Sequence, residues 1–199
     1  MTTSLPPRRA DLSRQTNETN IRAQFSIDGA GNGDIQTGIA FFDHMLMQTT
    51  RHGGFDLTLQ ATGDLKIDAH HTVEDCGIVL GQLLAQALSD KSGVCRFGYA
   101  YAPLDESLAR VVVDLSGRAS LSYHAALSRT DVGGMDTDLF REFFQAFVNH
   151  AQITLHIDLI RGVNAHHQVE AIFKSFGLAL ANACTRRNMD HIPSTKGCL

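Results

Sequence analysis

No stretch of the 199 residues approaches the roughly 18 consecutive apolar side chains that suggest a membrane span, so none is expected. The segment from Met1 to Leu12 holds no apolar run of the kind that marks a secretory leader. Cysteine is scarce: Cys76, Cys95, Cys184 and Cys198 lie far apart with no CxxC pair, in a chain too large to need disulfide staples. Reduced thiols in the cytoplasm are the simplest reading. Charge of one sign is also missing. Seventeen Lys and Arg stand against twenty-one Asp and Glu, a net charge of −4, and the basic doublets are Arg8-Arg9 and Arg186-Arg187. Without a basic face, a nucleic-acid partner is not expected.

What is present is an ordinary globular balance, 43% hydrophobic and 19% charged, enough for one domain or two small packed halves. Histidine is the exception. There are ten, and His44, His52, His70, His71, His150, His166 and His167 fall in or beside apolar-periodic segments. Such clustering points to metal.

The chain repeats itself. His70-His71-Thr72-Val73-Glu74 is answered by His166-His167-Gln168-Val169-Glu170, an offset of 166 − 70 = 96. Leu57-Thr58-Leu59 is answered by Ile153-Thr154-Leu155, again at 96. Upstream the offset becomes 98, as though Gly53-Gly54 were inserted in the first copy; His52 then aligns with His150, and His44 with Glu142. Glu18 to Arg22 resembles Glu106 to Arg110 more weakly. Strand alternation over 21–27, 55–61, 108–115 and 153–159, with helical stripes over 41–50, 70–88, 138–150 and 166–184, makes each copy a βαβα-type unit. The predicted fold is α+β, internally duplicated into two pseudo-equivalent sheet-and-helix halves, about 9–92 and 93–187, within one domain spanning 1–199.

Helical geometry puts His70 with Glu74, and His166 with Glu170, on one face each, since i and i+4 are neighbours. His71 and His167 point roughly 100° away around the helix. Pseudosymmetry then suggests one ion on His70, Glu74 and His167, another on His166, Glu170 and His71, with His44 and Glu142 completing one site each. Imidazole and carboxylate without thiolate favour Mn, Fe, Co, Ni or Zn over Mg or Ca. A single His-His pair is more often a surface feature; two copies, each with a glutamate at helical spacing, are not explained by packing. A metal-storage protein would use the same ligands, and a metallohydrolase would use them to activate water.

The residues resemble the imidazoleglycerol-phosphate dehydratases. The resemblance is carried by Phe41-Phe42-Asp43-His44-Met45-Leu46, His52-Gly53-Gly54-Phe55-Asp56-Leu57, Ala61-Thr62-Gly63-Asp64, His70 to Asp75 and Arg96-Phe97-Gly98. Pro103-Leu104-Asp105-Glu106, Asp114-Leu115-Ser116-Gly117-Arg118, His166 to Lys174 and Pro193-Ser194-Thr195-Lys196-Gly197 continue it in order, from about Arg9 to Leu199. It implies a cytoplasmic lyase of histidine biosynthesis that dehydrates imidazoleglycerol phosphate to imidazoleacetol phosphate, with two Mn²⁺ per subunit binding the substrate imidazolate. It also implies a homo-oligomer of 24 subunits built from trimers, with metals and substrate at subunit interfaces. The implied catalytic groups are Glu18, His52 and Glu170. The metal ligands are His44, His70, His71, Glu74, Glu142, His166, His167 and Glu170, of which His44, His70, His71, Glu74 and His166 also face substrate. Phosphate falls to Arg96, Arg118, Lys174, Ser194 and Lys196, the last two on a substrate-binding tail, 188–199. Many members carry histidine where this chain has Glu142; a carboxylate can hold manganese there, directly or through water. Some relatives carry a fused phosphatase domain, for which this chain has no room.

Overall fold

The computed structural model describes residues 7–187 and 191–199. Residues 188–190, where the expected tail begins, and the first six residues of the expected leaderless segment lie outside the described residues.

The first half opens with a hairpin of β1 (Arg9–Gln15) and β2 (Thr19–Ser26), followed by β3 (Gly33–Gln36), α1 (Ala40–Gly53), β4 (Asp56–Gly63) and α2 (His70–Leu88). β2 alternates because Ile21, Ala23 and Phe25 face the core while the residues between them face solvent. β4 lies antiparallel to β2 and parallel to β3, giving the order β1-β2-β4-β3. The second half repeats the plan with β5 (Phe97–Leu104), β6 (Ser107–Asp114), β7 (Ser120–His124), α3 (Asp138–Ala151), β10 (Thr154–Arg161) and α4 (Ala165–Cys184), in the order β5-β6-β10-β7. A ribbon of β8 (Asp131–Val132) and β9 (Met135–Asp136) is inserted before α3.

The duplicated α+β architecture is as expected, but the main sheet of each half carries two strands more than a βαβα unit. The additional strands have little apolar periodicity. β1 exposes Arg9, Asp11 and Ser13 and only half-buries Ala10 and Leu12, and β3 is four residues long. β5 inverts the usual pattern: Phe97, Tyr99 and Tyr101 face solvent while Gly98, Ala100 and Ala102 face inward. Small residues are required there because α4 lies close, and a Cβ on Gly98 would collide with the backbone of Ala179.

One repeat boundary also needs correction. Phe25 pairs with Leu57 and Val113 with Leu155, so β4 and β10 correspond at an offset of 155 − 57 = 98, not 96. The two additional residues of the first half therefore lie between β4 and α2, not at Gly53-Gly54. Side chains in a strand repeat every two residues, so a slip of two leaves the pattern unchanged and invisible in sequence.

The helices exchange partners between halves. Gly77 and Gly81 of α2 abut the carbonyls of Phe143 and Phe147 of α3, and Gly177 of α4 abuts that of Thr49 of α1. Each of these glycines leaves room for a backbone that a methyl group would obstruct. Phe42, Phe143, Phe144, Phe173 and Phe176, from three helices, are fully buried and pack with neighbouring ring centroids 5.1–5.7 Å apart. α2 then covers β1 and β2 while α4 covers β5 and β6.

Candidate metal centre and active site

The helix exchange brings α1 beside α4, and with it His44 beside His166 and Glu170. One oxygen of Glu170, Oε2, lies 3.1 Å from His44 Nε2 and 3.0 Å from His166 Nε2. The other, Oε1, lies 2.6 Å from the Lys174 ammonium one turn on. Among the described residues this is the one group of three ligand side chains converging within 4.8 Å. Burial of Glu170 opposes its charge, yet Lys174, His166 and His44 together hold its carboxyl down at about 2. The carboxylate is ionised at any working pH.

The pseudo-equivalent group is looser. On α2, His70 Nε2 stands 3.6 Å from Glu74. His70 lines a cavity of about 790 Å³ together with Glu142 of α3, Asp68, Asp136 and Asp138. The Glu142 carboxylate meets Arg141 at 3.2 Å. Each first histidine is aimed by its helix start: Asn164 accepts from His166 N–H at 2.9 Å, and Asp68 from His70 N–H at 2.8 Å.

Within one chain, neither His71 nor His167 joins the converging trio. His71 Nδ1 meets Asp64 at 3.0 Å, and His167 Nδ1 meets Glu106 at 2.8 Å. Both carboxylates raise the imidazole pKa. A carboxylate on Nδ1 is the arrangement by which proteins orient a histidine that ligates through Nε2. Glu18 stands 3.8 Å from His71 Nε2.

The expected phosphate groups divide. Arg96 is engaged by Asp114 at 2.7 Å and by the carbonyl of Pro193 at 2.8 Å, so it fastens the C-terminal tail. Gly117 abuts the terminal residue Leu199, which brings Arg118 to the same end of the molecule as Ser194 and Lys196. Lys174 instead sits on Glu170. The separation is large. Arg96 N–H bonds the carbonyl of Ala183 at the far end of α4, seventeen residues from His166, about 26 Å along a helix. His52, near Lys174, is depressed by burial and by the Lys174 ammonium, against the pull of Glu170.

A model of the family described as imidazoleglycerol-phosphate dehydratase matches residues 37–180. The chain belongs to that family. Its likeness to an imidazoleglycerol-phosphate dehydratase of Janthinobacterium sp. (strain Marseille) is 55% identity, covering 97% of this chain and 98% of the relative. With one of Azoarcus sp. (strain BH72) it is 57%, covering 96% and 100%. The crystal structure of imidazoleglycerol-phosphate dehydratase from Staphylococcus aureus subsp. aureus N315 superposes with a TM-score of 0.81 at 47% identity, covering 89% of this chain and 99% of that one. That from Pyrococcus furiosus, in complex with (S)-C348, gives 0.82 at 34%, covering 94% and 100%. The chain is thus an imidazoleglycerol-phosphate dehydratase, a lyase of histidine biosynthesis.

For this dehydratase, sequence reading had missed the roles of Asp64 and Glu106, which hold His71 and His167 at Nδ1. Glu106 carries a signal, as the repeat partner of Glu18; Asp64 stands in the Ala61-Thr62-Gly63-Asp64 motif, but in the connection that is two residues longer in the first half, so the repeat offers it no clear partner.

The depressed Glu170 has a consequence for metal-free protein. Its carboxyl sits near 2 when folded against an ordinary value of 4.5. Ionisation therefore stabilises the fold above about pH 4.5, and that contribution is lost as pH falls through about 2. Urea midpoints of wild type and Glu170→Gln, measured between pH 6 and 2, are expected to converge as pH falls. A constant gap between them would show that Glu170 carries no such linkage.

Proposed function

We propose that the chain converts D-erythro-imidazoleglycerol phosphate to imidazoleacetol phosphate using two manganese ions per subunit. The observation that carries this is the trio His44, His166 and Glu170, whose buried, ionised carboxylate and two imidazoles form a donor set suited to a borderline divalent ion. His70, Glu74 and Glu142 would hold the second ion, Glu142 supplying a carboxylate where many relatives have imidazole. His71 and His167, held at Nδ1 by Asp64 and Glu106, would complete sites formed with neighbouring copies. Bound there, the ions would hold the substrate ring as imidazolate and stabilise the charge of the departing hydroxyl.

The protein's own groups do the rest. Glu18 has, among the described residues, no hydrogen bond on its carboxylate, and its side chain is half exposed, so it is free to take the proton from the carbon beside the departing hydroxyl. His52, kept neutral by burial and Lys174, can hold that hydroxyl and relay a proton to it, taking one from solvent at one ring nitrogen as it gives one up at the other, so that water leaves and the enol product relaxes to the ketone. Arg118, Ser194 and Lys196 would grip the phosphate, with Arg96 fixing the tail that carries two of them. Lys174 would serve the metal trio first, as counter-charge to Glu170. The substrate-binding segment is thus 188–199, in a single domain of two repeats, about 9–92 and 93–187. The proposed setting is the cytoplasm, in a 24-subunit assembly of trimers with neither nucleic acid nor membrane as partner.

Turnover of imidazoleglycerol phosphate by metal-stripped protein, followed through the ketone product, tests this. Activity is expected to return with Mn²⁺ and to saturate near two ions per chain. Full metal loading without turnover would overturn the reading.

A further inference from the structure

We propose that Asp75, which touches neither substrate nor proposed metal, is a positioning residue that holds Glu18 in place for proton abstraction. The inference rests on Glu18 being the base.

Glu18 lies in the three-residue turn between β1 and β2. Thr16 organises that turn: its hydroxyl accepts from the N–H of Glu18 at 3.1 Å and of Thr19 at 2.9 Å, and it lies 3.2 Å from the Thr19 hydroxyl. The Thr19 hydroxyl in turn donates to Asp75 Oδ2, and Arg14 donates to Asp75 Oδ1 at 3.0 Å. Asp75 is buried on the first turns of α2, the helix that presents His70, His71 and Glu74. It therefore ties both strands flanking Glu18 to the helix beneath.

The duplication supplies an internal control. At an offset of 96, Asp75 corresponds to Ala171; at 88, Thr19 corresponds to Ser107. Arg14 pairs with Ile21 across the first hairpin, and the matching pair in the second is Ala102 with Ala109. The polar tie is thus replaced by small residues in the second half. Glu106, the counterpart of Glu18, anchors its own turn: one oxygen accepts from the N–H groups of Val163 and Asn164 at 3.1 and 2.8 Å, and the other meets His167 at 2.8 Å. A carboxylate so occupied is unavailable for proton transfer. Where Asp75 is present, the turn is held from below and the Glu18 carboxylate, 3.8 Å from His71 Nε2, is left without a hydrogen bond among the described residues. The two halves have divided one ancestral position between anchoring and chemistry.

Three variants of the full-length protein test this: Asp75→Ala, Glu18→Gln and the double substitution. Asp75→Ala is expected to lower kcat by about 10- to 100-fold, the scale of misplacing a reacting group by about an ångström, with KM and bound Mn²⁺ per chain unchanged. Amide exchange at Glu18 and Thr19 should accelerate in metal-free protein as well. In the Glu18→Gln background the same change should cost no more than about twofold, because Asp75 acts through Glu18. A further 10-fold loss there, or loss of metal, would overturn the assignment. Should Asp75→Ala fail to fold, Thr19→Val is expected to reproduce the kcat loss and Thr19→Ser to restore it; equal activity in both also overturns it. Wild-type turnover by Glu18→Gln would instead strike down the base reading itself.

Discussion

Glu170→Gln is expected to reduce bound manganese from about two ions per chain to about one and to lower turnover by about 10³-fold, the scale of removing a charge-stabilising group at a reacting centre. The argument is geometric. Both oxygens of Glu170 are committed, one towards two imidazole nitrogens at 3.0 and 3.1 Å and the other towards Lys174 at 2.6 Å. Glutamine offers one oxygen and one NH₂ group. Turned one way, its NH₂ faces the ammonium of Lys174; turned the other, it faces the two histidines and the space an ion would fill. The first orientation sets donor against donor in a buried place, the second puts an NH₂ group where the ion would sit, and neither supplies negative charge. The second set, His70, Glu74 and Glu142, should keep its ion, because it is built on α2 and α3 with no residue in common. Metal per chain after gel filtration, read alongside initial rates, checks both halves of the expectation. Two ions retained with normal turnover would remove Glu170 from the metal centre.

Some of this centre was legible in sequence and some was not. Spacing of four residues on a helix put His166 with Glu170 and His70 with Glu74, and the repeat placed His44 opposite Glu142 as completing ligands. The structure brings His44 to His166 and Glu170 because α1 packs on α4, a pairing across halves that no local pattern encodes. The long helices showed themselves through apolar stripes, whereas β1 and β5 did not. β1 is a polar edge strand, and β5 turns its aromatic residues outward and its small ones toward α4. Arg96 matched a phosphate position, yet it is engaged by Asp114 and the tail, because side-chain commitments depend on what folds back from nearly a hundred residues away. Asp75 was part of a recognised motif but had no visible partner: its contacts, Arg14 and Thr19, lie on two other elements, β1 and β2.

The separation of about 26 Å between His166 and the anchor of Arg96 along α4 bears on how the catalytic centre is assembled. A substrate only a few bonds long cannot touch the trio His44, His166 and Glu170 and also the tail of the same chain. Among the described residues, His71 and His167 join no group of converging ligands within the chain, which makes the same demand from the other side. If each catalytic centre joins the α1 and α4 ligands of one copy to the α2 and α3 ligands of another, two differently crippled chains should rescue each other. His71→Asn damages only the α2 contribution, and Glu170→Gln only that of α4. Each homo-oligomer is expected to be nearly inactive. Metal-stripped, dissociated chains mixed in equal amounts and reassembled with Mn²⁺ should regain about a quarter of wild-type activity, the share of centres that draw both contributions from intact halves. Recovery should require subunit exchange and vanish when preassembled oligomers are merely combined. Exchange shown by mixed oligomers without any recovered turnover would place every catalytic group within one chain. The 26 Å gap would then require Arg96 and the tail to serve a purpose other than holding substrate.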